Sequence, residues 1–138
     1  MFAIDANIFL EVELDQERVE ECMQFLTKVK DGELVAVLAD FTVDSIIIGM
    51  ERYDQDWKTI RRFLLSLLQY RGLEIYPTTM LDKIMATDHM ARYSLDFDDS
   101  ITLQSAVANN CSALVSFDLD FDRIKGLQRI TPAQALLF

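Results

Sequence analysis

The sequence predicts an α/β fold: a doubly wound parallel sheet of about five strands, flanked by helices. Three observations lead there. Short apolar runs of strand length recur along the chain as MFAI, LVAVL, LEIY, SALVS and LQRI. They are mostly continuous rather than alternating, which is what burial on both faces of a parallel sheet requires. Longer stretches with apolar residues at helical spacing separate them, so strand and helix alternate throughout.

Taken in order, MFAI forms the first strand and ends at Asp5, where the chain turns. From about Leu14 to Val29 the residues Val19, Cys22, Phe25, Leu26 and Val29 recur with the period of a helix. The turn pair Asp31-Gly32 leads into a second strand over Leu34–Leu38. Helices are expected from Asp40 to Tyr53 and from Asp54 to Tyr70, the latter capped by Asp54 or Asp56 and followed by Gly72. Leu73–Tyr76, closed by Pro77, is the third strand. Thr79–Tyr93 is the next helix, with Met80, Ile84, Met85 and Met90 expected to fill the core. A helix over Phe97–Asn109, a strand over Ser112–Ser116 and a last strand over Leu127–Ile130 complete the pattern.

A chain of 138 residues suits one domain, residues 1–138, around a single core. Its 51% hydrophobic and 26% charged residues exclude a disordered chain. No apolar run reaches the roughly 18–20 residues of a membrane span. The first apolar run has no basic flank, so no secretory signal is expected and the location is expected to be cytoplasmic. Cys22 and Cys111 lie far apart in helical segments and are expected to be thiols rather than a disulfide. The net charge is −10, from 23 acids and 13 bases, which argues against a general nucleic-acid coat protein. It permits an enzyme that meets a phosphodiester through bound cations, because the metals reverse the local sign. It equally permits a basic partner, or plain solubility.

In open parallel sheets, function sits beyond the carboxyl ends of the strands, where strand order reverses. Asp5 follows the first strand, Asp118 and Asp120 follow the fourth, and Asp99 opens the helix leading into the fourth. If the first and fourth strands are neighbours, these acids converge. Crowded carboxylates raise one another's pKa values, and a divalent cation relieves the repulsion. Oxygen ligands alone select a hard ion, magnesium or manganese. Zinc is disfavoured: His89 is the only histidine, and the cysteines are not spaced as ligands. With no Walker loop, Gly-x-Ser-x-Gly elbow or His-Glu-x-x-His motif, the remaining chemistry is hydrolysis of a phosphate ester by metal-activated water.

Each acid also has a plain structural reading. Asp99 alone reads as a helix-start acid, Asp5 as a turn former, and Asp118 and Asp120 as a hydrophilic loop. Their joint order favours a shared site. Asp96 and Asp98 are expected in a solvated loop, adding negative potential without ligating. His89 reads as a surface or helix residue rather than a catalyst or ligand, and Arg61, Arg62 and Arg71 as a solvated face rather than RNA contacts.

FAIDANIF and FDDSITLQSAVANNCSALVSFDLDF carry a resemblance that extends over nearly the whole chain. The sequence resembles a PIN domain, the fold of VapC-type toxin ribonucleases and of several RNA-processing endonucleases. The resemblance implies a doubly wound parallel sheet whose acids bind Mg2+ or Mn2+ for endonucleolytic RNA cleavage. It also implies a small antitoxin as possible partner, and a homodimer. Residue by residue, Asp5 matches the family's first acid and Asn7 the small polar residue that orients it. Asp99 matches the acid opening the helix before the fourth strand. Asp118 matches the acid after that strand, with the Ser116 hydroxyl two residues before it, and Asp120 with Phe121 matches the acidic-aromatic pair that follows.

The family usually places a glutamate in the helix after the second strand, where TVDSIIIG offers Asp44, one methylene shorter and suited to contact through water. The expected catalytic acids are therefore Asp5, Asp99 and Asp118. The expected metal ligands are Asp5, Asp44, Asp99, Asp118 and Asp120, supported by Asn7 and Ser116. Asp44 and the negative charge also keep open a catalytically silent PIN-like module that binds RNA or protein. A phosphatase of the haloacid-dehalogenase type is disfavoured. It wants an acid where Asn7 stands and a downstream lysine, and none lies between Lys83 and Lys125.

Overall fold

The computed structural model describes residues 1–138. Its strands are β1 (Phe2–Ile4), β2 (Ala36–Ala39), β3 (Leu73–Tyr76), β4 (Ala113–Val115) and β5 (Gln128–Ile130). All pair in parallel, in the order β3-β2-β1-β4-β5. Strand order therefore reverses between β1 and β4, which pair in register from Phe2 with Ala113 to Ile4 with Val115. The helices are α1 (Ala6–Glu13), α2 (Val19–Lys30), α3 (Asp40–Arg52), α4 (Trp57–Leu67), α5 (Met80–Tyr93), α6 (Phe97–Ala108) and α7 (Pro132–Ala135), with a 3₁₀ helix over Leu119–Arg123.

The three central strands are buried on both faces, as their apolar runs require. Phe2, Ile4, Ala36, Leu38, Ala113 and Val115 pack toward Phe9, Phe25, Leu26, Ile46 and Phe63. The alternate residues Ala3, Val37 and Leu114 pack on the opposite face against Leu103, Ala106 and Phe121. This period of two sorts the strand residues between two helical layers. No helix is long and apolar enough to cross a membrane. Cys22 and Cys111 are free thiols, the first buried and the second partly buried.

Two expectations change. The helix anticipated from Leu14 is two helices, α1 beginning directly after Asp5 and α2 beginning at Val19. Leu14 ends α1, and Asp15, at φ 49°, turns the chain through the left-handed region. In α5, Met80, Ile84 and Met85 are exposed and Met90 is only half-buried. The face that α5 buries carries Asp82 and Ala86 instead. Gly72 does more than follow a helix: a Cβ there would meet the Leu34 carbonyl oxygen at 2.1 Å and that of Val29 at 2.7 Å. Only glycine lets the chain enter β3 so close to the end of α2.

Asp82 anchors α5. With Thr79 it forms a capping box, and its carboxylate also accepts hydrogen bonds from the Tyr76 hydroxyl at 2.7 Å and the Gln104 amide at 3.0 Å. Burial raises its pKa, but the bonds from Thr79, Gln104 and Tyr76 outweigh burial and hold it below the usual carboxylate range. Asp82→Ala should cost about 2–3 kcal/mol in urea unfolding at neutral pH, since it removes the capping box and leaves the buried Gln104 amide and the half-buried Tyr76 hydroxyl unpaired. Because the folded pKa is depressed, this contribution is present above about pH 4 and disappears as pH falls through the folded value.

Candidate metal centre

The carboxyl ends of β1 and β4 bring the acids together. Asp5 directly follows β1, is 5% exposed, and stands in the extended N-cap position of α1. Its Oδ2 accepts a hydrogen bond from the Ser116 hydroxyl at 2.7 Å. Ser116 Oγ in turn accepts the Asp118 N–H at 2.9 Å, and Asp118 Oδ1 accepts the Asp120 N–H at 2.9 Å. The loop after β4 is thus folded back upon the end of β1. Arg123 closes the series, donating to Asp120 Oδ1 at 3.0 Å and to the Ser94 carbonyl at 3.0 Å. It thereby ties the 3₁₀ helix to the loop that precedes α6.

Asp99 enters from the third residue of α6. The helix cap is Asp96, whose Oδ1 accepts the Asp99 N–H at 2.8 Å. The capping role that Asp99 might have filled is therefore already taken. Asp99, Asp118 and Asp120 each offer an oxygen, and these three oxygens lie within 4.8 Å of one another. Asp5 stands beside this group, linked to it through Ser116.

Electrostatics describes the same crowding. Burial raises the Asp99 pKa, and the charges of Asp5, Asp96, Asp118 and Asp98 push it further, to about 8. Asp5 is raised to about 6, by burial first and then by Asp98 and Asp118, against the lowering effect of the Ser116 hydrogen bond. A divalent cation fits this donor set. It is all oxygen, converges from two chain segments, and carries a repulsion that a cation would offset. The residues suited to hold it are Asp99, Asp118 and Asp120, with Asp5 adjoining.

The remaining expected residues fall elsewhere. Asp44 is exposed on α3 and is not among the charges that raise Asp5 or Asp99. Its neighbour Ser45 takes the inward position, beside Asp98. Asn7 is exposed on α1, and the hydrogen bond that orients Asp5 comes from Ser116 instead. His89 lies on α5, as expected, and is half-buried, its Nε2 lying 2.8 Å from Gln104 Oε1. Asp98, expected in a solvated loop, lies within α6 and is half-buried. The signal for it was the absence of charge from Ser100 to Ala106, all seven of which are buried. A helix enclosed on every side leaves its first-turn acids little solvent to face.

The PIN domain family model matches residues 2–127. No curated protein sequence matches the chain. Among solved structures, VapC20 of Mycobacterium tuberculosis, a Sarcin-Ricin loop cleaving toxin, superposes with a TM-score of 0.76 at 13% identity, covering 96% of this chain and 100% of its own. A toxin-antitoxin complex from Klebsiella pneumoniae gives 0.68 at 19% identity, covering 94% and 95%. FitAcB from Neisseria gonorrhoeae gives 0.69 at 14% identity, covering 96% and 98%. At these identities the likeness is one of fold.

Proposed function

The chain belongs to the PIN-domain family, and from that premise we propose that it is a metal-dependent endoribonuclease hydrolysing RNA phosphodiester bonds, the toxin of a toxin-antitoxin pair. PIN domains are generally nucleases that use divalent metal. The observation that carries the reading is the meeting of Asp99, Asp118 and Asp120 beside buried Asp5 at the switch point of the sheet. Bound Mg2+ or Mn2+ would supply charge compensation, polarisation of the phosphodiester and activation of water. Ser116 fixes Asp5 and the Asp118 backbone, so the donors are set before substrate arrives. In this reading Asp5, Asp99 and Asp118 are the catalytic acids, Asp120, held by Arg123, is a further metal ligand, and residues 1–138 are one nuclease unit.

Two exposed apolar faces support protein partners. One runs along α4 and just beyond it, through Trp57, Leu64, Leu65 and Leu68; the other is on α5, at Met80, Leu81 and Ile84. A small antitoxin and a second copy of the chain are the occupants we assign to them. The RNA substrate and the unpaired thiols favour a cytoplasmic location.

The test is incubation of purified protein with a mixed single-stranded RNA pool. Internal fragments should appear with Mn2+ or Mg2+ and vanish with chelator. An intact pool in the presence of metal would leave a silent binding module. Manganese at about a hundred times its dissociation constant should also stabilise the fold by about 2.7 kcal/mol, raising Tm by roughly 8 °C in a thermal scan.

A further inference from the structure

We propose that the cleft at the carboxyl end of α5, lined by Arg92, Tyr93, Arg123 and Lys125, binds the phosphate backbone of single-stranded RNA beside the scissile bond; this rests on RNA being the substrate assigned above. Three of the chain's 13 bases converge there, in a protein of net charge −10, and no acid lines the cleft. Its volume is about 500 Å³. A single side chain ties it to the metal centre. Arg123 donates from one guanidinium nitrogen to Asp120 Oδ1 at 3.0 Å, and from another to the carbonyls of Tyr93 at 3.4 Å and Ser94 at 3.0 Å. It spans from a carboxylate of the acidic group to the end of α5, so the cation site and the cleft adjoin.

Arg123 has a structural duty, since its bonds satisfy carbonyls that the end of α5 leaves open. Arg92, in the last turn of α5, gains at most a modest interaction with the helix dipole. Lys125 has no such role. Both Arg92 and Lys125 are exposed, and neither forms an ion pair: the salt bridges are Lys28–Glu33, Arg123–Asp120 and Arg129–Asp122. Asp88, one turn before Arg92 on α5, is not paired with it either. Unpaired cations set beside a cation site suit an anion whose charges repeat, one phosphate at the metal and its neighbours over the cleft. Tyr93, half-buried, adds an aromatic ring of the kind on which unpaired bases stack. An acidic peptide would match the charge of the cleft but make no use of the ring or of the adjoining metal.

The experiment is fluorescence anisotropy of a short labelled single-stranded RNA, in chelator so that nothing is cut, over a range of salt. The parent is compared with Arg92→Gln/Lys125→Gln and with Arg61→Gln/Arg62→Gln, and circular dichroism of each checks folding. The cleft variant should bind RNA about tenfold or more weakly at low salt. The slope of log affinity against log salt should become shallower by about 1.4, the value for two lost phosphate contacts on a single strand. The second variant removes the same charge from α4, which packs on the opposite face of the sheet, and should bind as the parent does. Exchanging the cations, as Arg92→Lys/Lys125→Arg, should restore binding. Equal losses in the two glutamine variants would overturn the inference, leaving only net charge. Binding by the cleft variant equal to the parent would overturn it too, and manganese-dependent cleavage by the parent would then leave the nuclease reading standing. So would a parent that binds no RNA at low salt, or RNA displaced as readily by poly-glutamate as by unlabelled RNA, which would assign the cleft to an acidic protein. RNA bound through the cleft by a parent that cuts nothing in manganese would keep this inference and remove the nuclease reading.

Discussion

Asp99→Asn should abolish RNA cleavage, lowering kcat/KM by roughly 10³-fold or more, equivalent to about 4 kcal/mol of transition-state stabilisation. Its stability without metal should match or exceed that of the parent. The two results are expected together because Asp99 serves charge rather than packing. It is not the cap of α6, it has no basic partner, and four neighbouring carboxylates oppose its ionisation. Asparagine keeps the shape and removes the repulsion. Cleavage assays on the purified variant, paired with urea unfolding in chelator, measure both. A variant that unfolds readily in chelator would make Asp99 a structural residue.

The second large effect is on pH dependence. Asp5 at about 6 and Asp99 at about 8 both hold protons in the fold that the unfolded chain releases near pH 4. The folded state therefore binds more protons than the unfolded one across this window, and stability must fall as pH rises. Between pH 4 and pH 8 the metal-free protein should lose stability steadily, by less than the separate shifts would sum to, because the acids titrate together and Asp99 is partly screened by solvent. Asp99→Asn should flatten most of the slope above about pH 6. With saturating manganese the slope should reverse, since the cation binds the deprotonated carboxylates. Urea midpoints measured at intervals of pH test this; a flat metal-free profile would show that neither burial nor crowding raises these acids.

The sheet was legible because its strands are buried on both faces and say so in unbroken apolar runs. Asp5, Asp99, Asp118 and Asp120 were legible for a related reason: each sits next to such a run or at a helix start, so topology alone carries them to one edge. The missed features have physical causes as well. Ala6 to Val12 is nearly continuous in apolar character, which hides the period of α1. In α5 the spacing of Met80, Ile84 and Met85 is helical, but the buried face is set by the hydrogen-bonded carboxylate of Asp82, which hydropathy scores as surface. Asp44 and Ser45 differ by one position, about 100° around a helix, and only the packing of α3 against α6 decides which of them turns inward. Asp98 went unread for the same reason: a cluster of acids in sequence looks solvated until the helix they begin proves to be enclosed.

The most direct measurement of the central claim is an anomalous difference map from crystals of the parent protein grown with manganese. A peak bounded by the carboxylates of Asp99 and Asp118, with Asp5 or Asp120 adjoining, is the predicted result, and it should be missing from crystals of Asp99→Asn prepared in the same way. A map with no manganese at this end of the sheet, or with the same peak retained in Asp99→Asn, would contradict the claim that these acids exist to share a cation.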